Sequence, residues 1–92
     1  MNYIDKIRTA LEQKLNMGCA YSSLLDVYAL LVLVRGKDCT NEDIHDAWAV
    51  WQNNIEKDHR SLIPFDELTK DIQSLDEKYR DAVIKVSTDF NL

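Results

Sequence analysis

The chain has 92 residues, enough for one domain and too few for two. Hydrophobic residues make up 46% and charged residues 29%, the balance of a folded globular chain. Eleven basic against sixteen acidic residues give a net charge of −5, which argues against non-specific nucleic-acid binding, since that affinity comes from neutralising phosphates.

Two glycines and one proline leave little punctuation for hairpins and favour helices joined by short turns. Ile4, Ile7, Leu11 and Leu15 recur at helical spacing, with Lys6, Glu12, Gln13 and Lys14 largely off that face. This first amphipathic helix is expected to close near Met17-Gly18, with the glycine in the left-handed conformation. Ser22 and Ser23 are candidate caps for a second helix, and Asp26 falls in its first turns. Its run Val27 to Val34 is apolar nearly all round, so a central, buried helix is expected. Arg35-Gly36-Lys37 ends it, with basic residues at the negative end of the helix dipole.

Thr40 and Asp43 have the spacing of a capping box, which starts a third helix. Ile44, Ala47, Trp48, Trp51 and Ile55 form one face of it, with His45, Ala49 and Gln52 along a flank. The helical pattern lapses from Asn53 to Ile63, the longest candidate loop. Pro64 to Leu68 reads as a short helical turn, since proline suits a first helical position. Thr69 is the candidate cap of a last helix carrying Ile72, Leu75, Tyr79, Ala82, Val83 and Val86 on one stripe. The tail, 87–92, is expected to fray. The sum is an all-α domain over 1–92: a small bundle of four main helices plus the turn at Pro64-Leu68, divided into a helical hairpin (1–38), a second part (40–86) and the tail.

Catalytic constellations fail on spacing. Cys19, Cys39, His45 and His59 include no Cys-x2-Cys or His-x3-His pair, so no metal site and no cofactor is expected. A Cys39 dyad with His45 or His59 lacks a nucleophile elbow and a glycine-rich oxyanion loop. Asp66-Glu67 and Asp76-Glu77 read as first-turn or exposed acids with no acid–base role. The two cysteines form no disulfide framework and suggest a reducing compartment. Asp5, Lys6 and Arg8 interrupt the start of the chain, so no secretory signal is expected, and Leu30 to Val34 is too short to span a bilayer. A cytoplasmic protein without membrane contact follows as the expectation.

The residues that suit binding are Trp48 and Trp51, three apart on one face, with His45 beside them. Both rings can serve as core, or one can line a pocket and stack a flat ligand. His59 and Arg60 lie in the loop, and Arg60 can pair bidentately with phosphate or carboxylate. A loop folded over the Trp48 face would combine these into an aromatic and cationic pocket, with Tyr79 and Arg80 as further walls. Tyr79 otherwise reads as core and Arg80 as surface.

Ile44-His45-Asp46-Ala47-Trp48, His59 to Leu68 (HRSLIPFDEL) and Asp76 to Val83 (DEKYRDAV) together resemble the ryanodine-receptor repeat (RyR) domain. Arg60 stands where that family usually has proline, and the first half of the chain looks more like short stand-alone RyR-like proteins of phages and bacteria. The resemblance implies a helical, non-enzymatic module that binds a small nucleotide-derived ligand. A phage version would sequester an immune signal in the host cytoplasm. A homo-oligomer is expected, since 92 residues enclose little space. The alternative is a protein–protein interaction module that inhibits a host defence or regulatory protein.

Overall fold

The structure, a computed structural model, describes residues 1–91. Four helices of thirteen residues carry the fold: α1 (Tyr3–Leu15), α2 (Ser22–Val34), α3 (Asn41–Asn53) and α5 (Glu77–Asp89). A five-residue helix, α4 (Lys70–Ser74), precedes α5, and single 3-10 turns occupy Cys19–Tyr21, Gly36–Asp38 and Phe65–Glu67. No strand occurs among the described residues, and the all-α bundle expected from periodicity is the fold observed.

The core is one cluster drawn from all four long helices. Ile7, Leu11 and Leu15 of α1 meet Leu24, Leu25, Tyr28 and Val32 of α2. Ile44 and Ala47 of α3 and Ala82, Val83 and Val86 of α5 complete it. α1 and α3 each pack on both α2 and α5, so that pair is the axis of the bundle. Burying such aliphatic side chains contributes roughly 1.5–3 kcal/mol each.

Local chemistry sets the helix ends. Asn2 Oδ1 accepts from the Asp5 N–H at 2.9 Å to start α1. Thr40 and Asp43 make the full capping box of α3: Thr40 Oγ1 accepts from the Asp43 N–H at 3.1 Å, and Asp43 Oδ2 accepts from the Thr40 N–H at 3.0 Å. Arg35 donates to the same carboxylate at 2.8 Å, and these bonds hold Asp43 below the usual carboxylate range against the opposing effect of burial. Thr69 caps α4, and Gln73 Nε2 donates back to the carbonyls of Phe65 (3.0 Å) and Leu68 (3.2 Å), tying the helical turn after Pro64 to α4.

Several details depart from the sequence reading. α1 closes on Asn16 (φ 53°, ψ 44°), whose N–H donates to Glu12 O, and Gly18 is extended at φ −77°. Asparagine tolerates the left-handed region better than other non-glycine residues, so the turn comes two residues early. Ser22 and Ser23 do not cap α2. Ser22 Oγ accepts from Arg8 Nη2 at 2.9 Å, Ser23 Oγ accepts from Trp51 Nε1 at 2.9 Å, and the Cys19–Tyr21 turn leads into the helix instead. Asp26 pairs with Arg8 across to α1.

α2 is central without being buried all round: Leu30, Leu33 and Val34 lie exposed. Three neighbouring helices cover only part of its circumference. The last helix is not continuous, because the chain breaks at Leu75-Asp76, and Ile72 and Leu75 leave the core stripe for the surface. α5 runs through Asp89 with Ser87 fully buried and Phe90 packed on the core, so 87–90 does not fray; Leu92 lies outside the described residues. Ile55 is exposed past the end of α3, and Cys19 is exposed where Cys39 is buried.

Candidate functional site

The break before α5 and the loop after α3 create a cleft at one end of the bundle. The Asn53–Ile63 loop closes in tight turns: the N–H of Glu56 donates to Gln52 O, that of His59 to Glu56 O, and that of Leu62 to His59 O. This winding returns the loop over α3. His45 Nε2 lies 2.7 Å from Ile63 O. A carbonyl only accepts, so Nε2 carries the proton and Nδ1 is left as the ring's acceptor in the neutral form. His45 is buried, and its ring stacks on Trp48 (5.7 Å, 28°) and tilts against Phe65 (6.1 Å). His59 meets Trp48 edge-on at 5.1 Å. Its Nδ1 accepts from the Ser61 N–H at 3.0 Å, which fixes the neutral ring's proton on Nε2.

These rings wall a half-open cavity of about 540 Å³. That volume lies within the range of small-molecule sites, roughly 300–1,000 Å³. Leu15, Met17 and Gly18 line one side, and Tyr21, Leu24 and Tyr28 follow from the next stretch of chain. His45, Trp48, His59 and Ser61 line another. Ile72, Leu75, Asp76, Lys78 and Tyr79 complete it. Tyr28 and Tyr79 are in contact, with ring centroids 5.5 Å apart, and Lys78 Nζ lies 5.6 Å from the Tyr79 ring.

Asp76 is the one carboxylate that lines the cavity among the described residues. It precedes α5 at the position where an aspartate commonly caps, yet its side chain makes no capping bond. No cation pairs with it among the described residues, and burial pushes its carboxyl up to about 6, against the pull of His45. The Tyr28 phenol is pushed up as well, first by burial and then by Tyr79 and Asp76.

Of the residues singled out by sequence, four converge here: His45, Trp48, His59 and Tyr79. Three stand elsewhere. Trp51 donates to Ser23 and packs on Tyr21 at 5.7 Å, bracing α3 against the start of α2. Arg60 is exposed and outside the lining, and Arg80 pairs with Glu77 and Asp81 on its own helix. Asp76, Tyr28 and Lys78 joined the site without being anticipated. Asp76 was hidden because its place in the cavity depends on the α4–α5 break, which no glycine or proline marks.

Cys39 has the environment of a structural thiol. It is buried, its Sγ donates to Thr40 O at 3.8 Å, and burial pushes it up to about 11, the opposite of an activated nucleophile. No cluster of three or more histidine, cysteine or acidic side chains that could hold a metal ion occurs among the described residues. No helix among them is long and apolar enough to cross a membrane.

Comparison with curated proteins and with solved structures gives no match. A family model does match, over residues 2–88. That span takes in nearly the whole chain, and the protein therefore belongs to the family described as a domain of unknown function, DUF7701.

Proposed function

We propose that this chain is a non-enzymatic binding module whose cleft takes a small, planar, nucleotide-derived molecule. The observation that carries this reading is the aromatic lining of the cavity by His45, Trp48, His59 and Tyr79 around the unpaired Asp76. Indole and phenol rings offer flat apolar faces for stacking, and an adjacent charged group gives orientation. Lys78 at the same cavity supplies a cation for an anionic group. Burial pushes the Cys39 thiol up, which disfavours a thiolate nucleophile there.

In this reading the protein works in the cytoplasm by stoichiometric capture. The likeness to stand-alone RyR-like proteins suggests a phage protein that sequesters an immune signal. The test is a thermal-shift screen against mono-, di- and cyclic nucleotides, with spectra of the purified protein to reveal co-purified ultraviolet-absorbing material. A ligand that binds only the folded state at 100 times its Kd adds roughly 2.7 kcal/mol of stability, a shift of several degrees for a domain of this size. No shift with any nucleotide would sink the reading. A carboxylate near 6 can also move protons, so turnover of a bound nucleotide would place the chain among enzymes.

A second reading has its own observation. Leu30, Leu33 and Val34 form an exposed apolar strip on α2, which suits a protein-binding face for a host target or a second copy of this chain. Charge at Leu33 (Leu33→Glu) would abolish such an association and leave nucleotide binding unchanged.

A further inference from the structure

The proposed cleft contains more chemical information than its aromatic walls. Inside it, among the described residues, stands one carboxylate, Asp76, with no lysine or arginine paired to it and no capping bond to occupy it. A partly buried, unpaired carboxylate is costly to the fold unless something else satisfies it. Its two oxygens accept two parallel hydrogen bonds from a pair of adjacent donors, and cannot face a carbonyl or a ring-nitrogen lone pair without repulsion. Nearby, His45 Nε2 is committed to Ile63 O, so its neutral ring adds a further acceptor at Nδ1. His59, with Nδ1 committed to the Ser61 N–H, offers a donor at Nε2.

Resting on the binding reading above, we infer that the cleft selects a heterocycle whose edge carries two adjacent hydrogen-bond donors, a ring N–H beside an exocyclic amine, and that Asp76 is the specificity-determining residue. Among the common bases this edge belongs to guanine. Adenine offers one amine beside a bare ring nitrogen, cytosine the same, and uracil a single N–H between two carbonyls. A free guanine nucleotide and a cyclic or conjugated guanine derivative present the same edge. The base lies among the aromatic side chains that line the cavity, with its donor edge toward Asp76 and its phosphate toward Lys78.

The experiment measures Kd at pH 7.5 by calorimetry for GMP, IMP, AMP and UMP, with cyclic GMP as a second arm, on the wild-type chain and on Asp76→Asn. IMP keeps the ring N–H and lacks the amine, so the GMP/IMP ratio isolates the second donor. The expected wild-type ratio is about tenfold or more in favour of GMP, falling to near unity in Asp76→Asn. Cyclic GMP binding more tightly than GMP would assign the edge to a cyclic source, and the reverse to a free nucleotide; both support the inference.

A measurement on the unaltered chain runs alongside. The groups sharing the cavity with Asp76 are Tyr28 on α2, His45 on α3, His59 in the loop, Tyr21, and Lys78 and Tyr79 on α5. The phosphate is common to GMP and IMP, so a fall of their ratio from pH 7.5 to pH 5 that is seen in the wild type and absent in Asp76→Asn reports the carboxylate. Equal affinities for GMP, AMP and UMP, or a GMP/IMP preference that survives Asp76→Asn, would overturn the inference and leave the binding reading standing. Absence of binding by every nucleotide overturns both.

Discussion

Trp48 and Trp51 stand three residues apart on α3, and their surroundings differ in kind. Trp51 gives its N–H to Ser23 and its ring to Tyr21, so both its polar and apolar parts are used within the fold. Trp48 has its ring between His45 and His59 and faces the cavity. Three residues turn a helix by about 300°, so the two rings diverge by about 60°. That angle is small enough to put both on one face in a periodicity argument. It is large enough to send one toward α2 and the other toward the returning loop. One tryptophan acts as a brace and the other as a wall.

Truncating each ring separates the two roles. Trp51→Ala removes a half-buried ring and its bond to the exposed Ser23 hydroxyl, and should cost roughly 2–3 kcal/mol in urea unfolding. It should leave ligand affinity within about twofold. Trp48→Ala should do the reverse, with the larger loss in binding. Equal effects of the two variants on both measurements would erase the distinction.

His45→Ala tests the floor of the cleft. It removes the donor to Ile63 O and the ring that stacks on Trp48, with an expected loss of roughly 2–3 kcal/mol. Faster amide exchange across 54–63 should accompany it, since the loop loses its tie to α3.

Asp76→Asn should stabilise the ligand-free protein. The folded-state pKa is raised from 3.8 to about 6. The folded state therefore binds more protons between about pH 4 and pH 6, and stability falls as pH rises through that window. Two units correspond to about 3 kcal/mol at most, and partial solvation reduces this to roughly 1–2 kcal/mol. Unfolding free energies at pH 4 and pH 7 should show the decline in the wild type and a flatter profile in the variant. The smallest expected effect is that of Arg60→Ala, within about 0.5 kcal/mol in stability and without change in ligand affinity.

The helices were legible because periodicity and capping are local. Thr40 with Asp43, Thr69, and the Ile7-Leu11-Leu15 stripe each act within a few residues. The candidate site was half legible. His45, Trp48, His59 and Tyr79 could be grouped by type, and the loop's return decided that they meet. Arg60 carries the chemistry of an anion site and stands outside the lining, because adjacent residues in a turn project differently. Asp76 resembled an ordinary first-turn acid. Its position depends on a break between α4 and α5 and on burial by elements from distant parts of the chain, neither of which is written locally.

The binding proposal rests most on the Trp48 side of the cleft. Calorimetric titration of the strongest nucleotide from the thermal-shift screen into the wild type, Trp48→Ala and Trp51→Ala tests it directly. The expected result is one binding site per chain in the wild type and in Trp51→Ala, and at least a tenfold weaker Kd in Trp48→Ala. Unchanged affinity in a folded Trp48→Ala would contradict it.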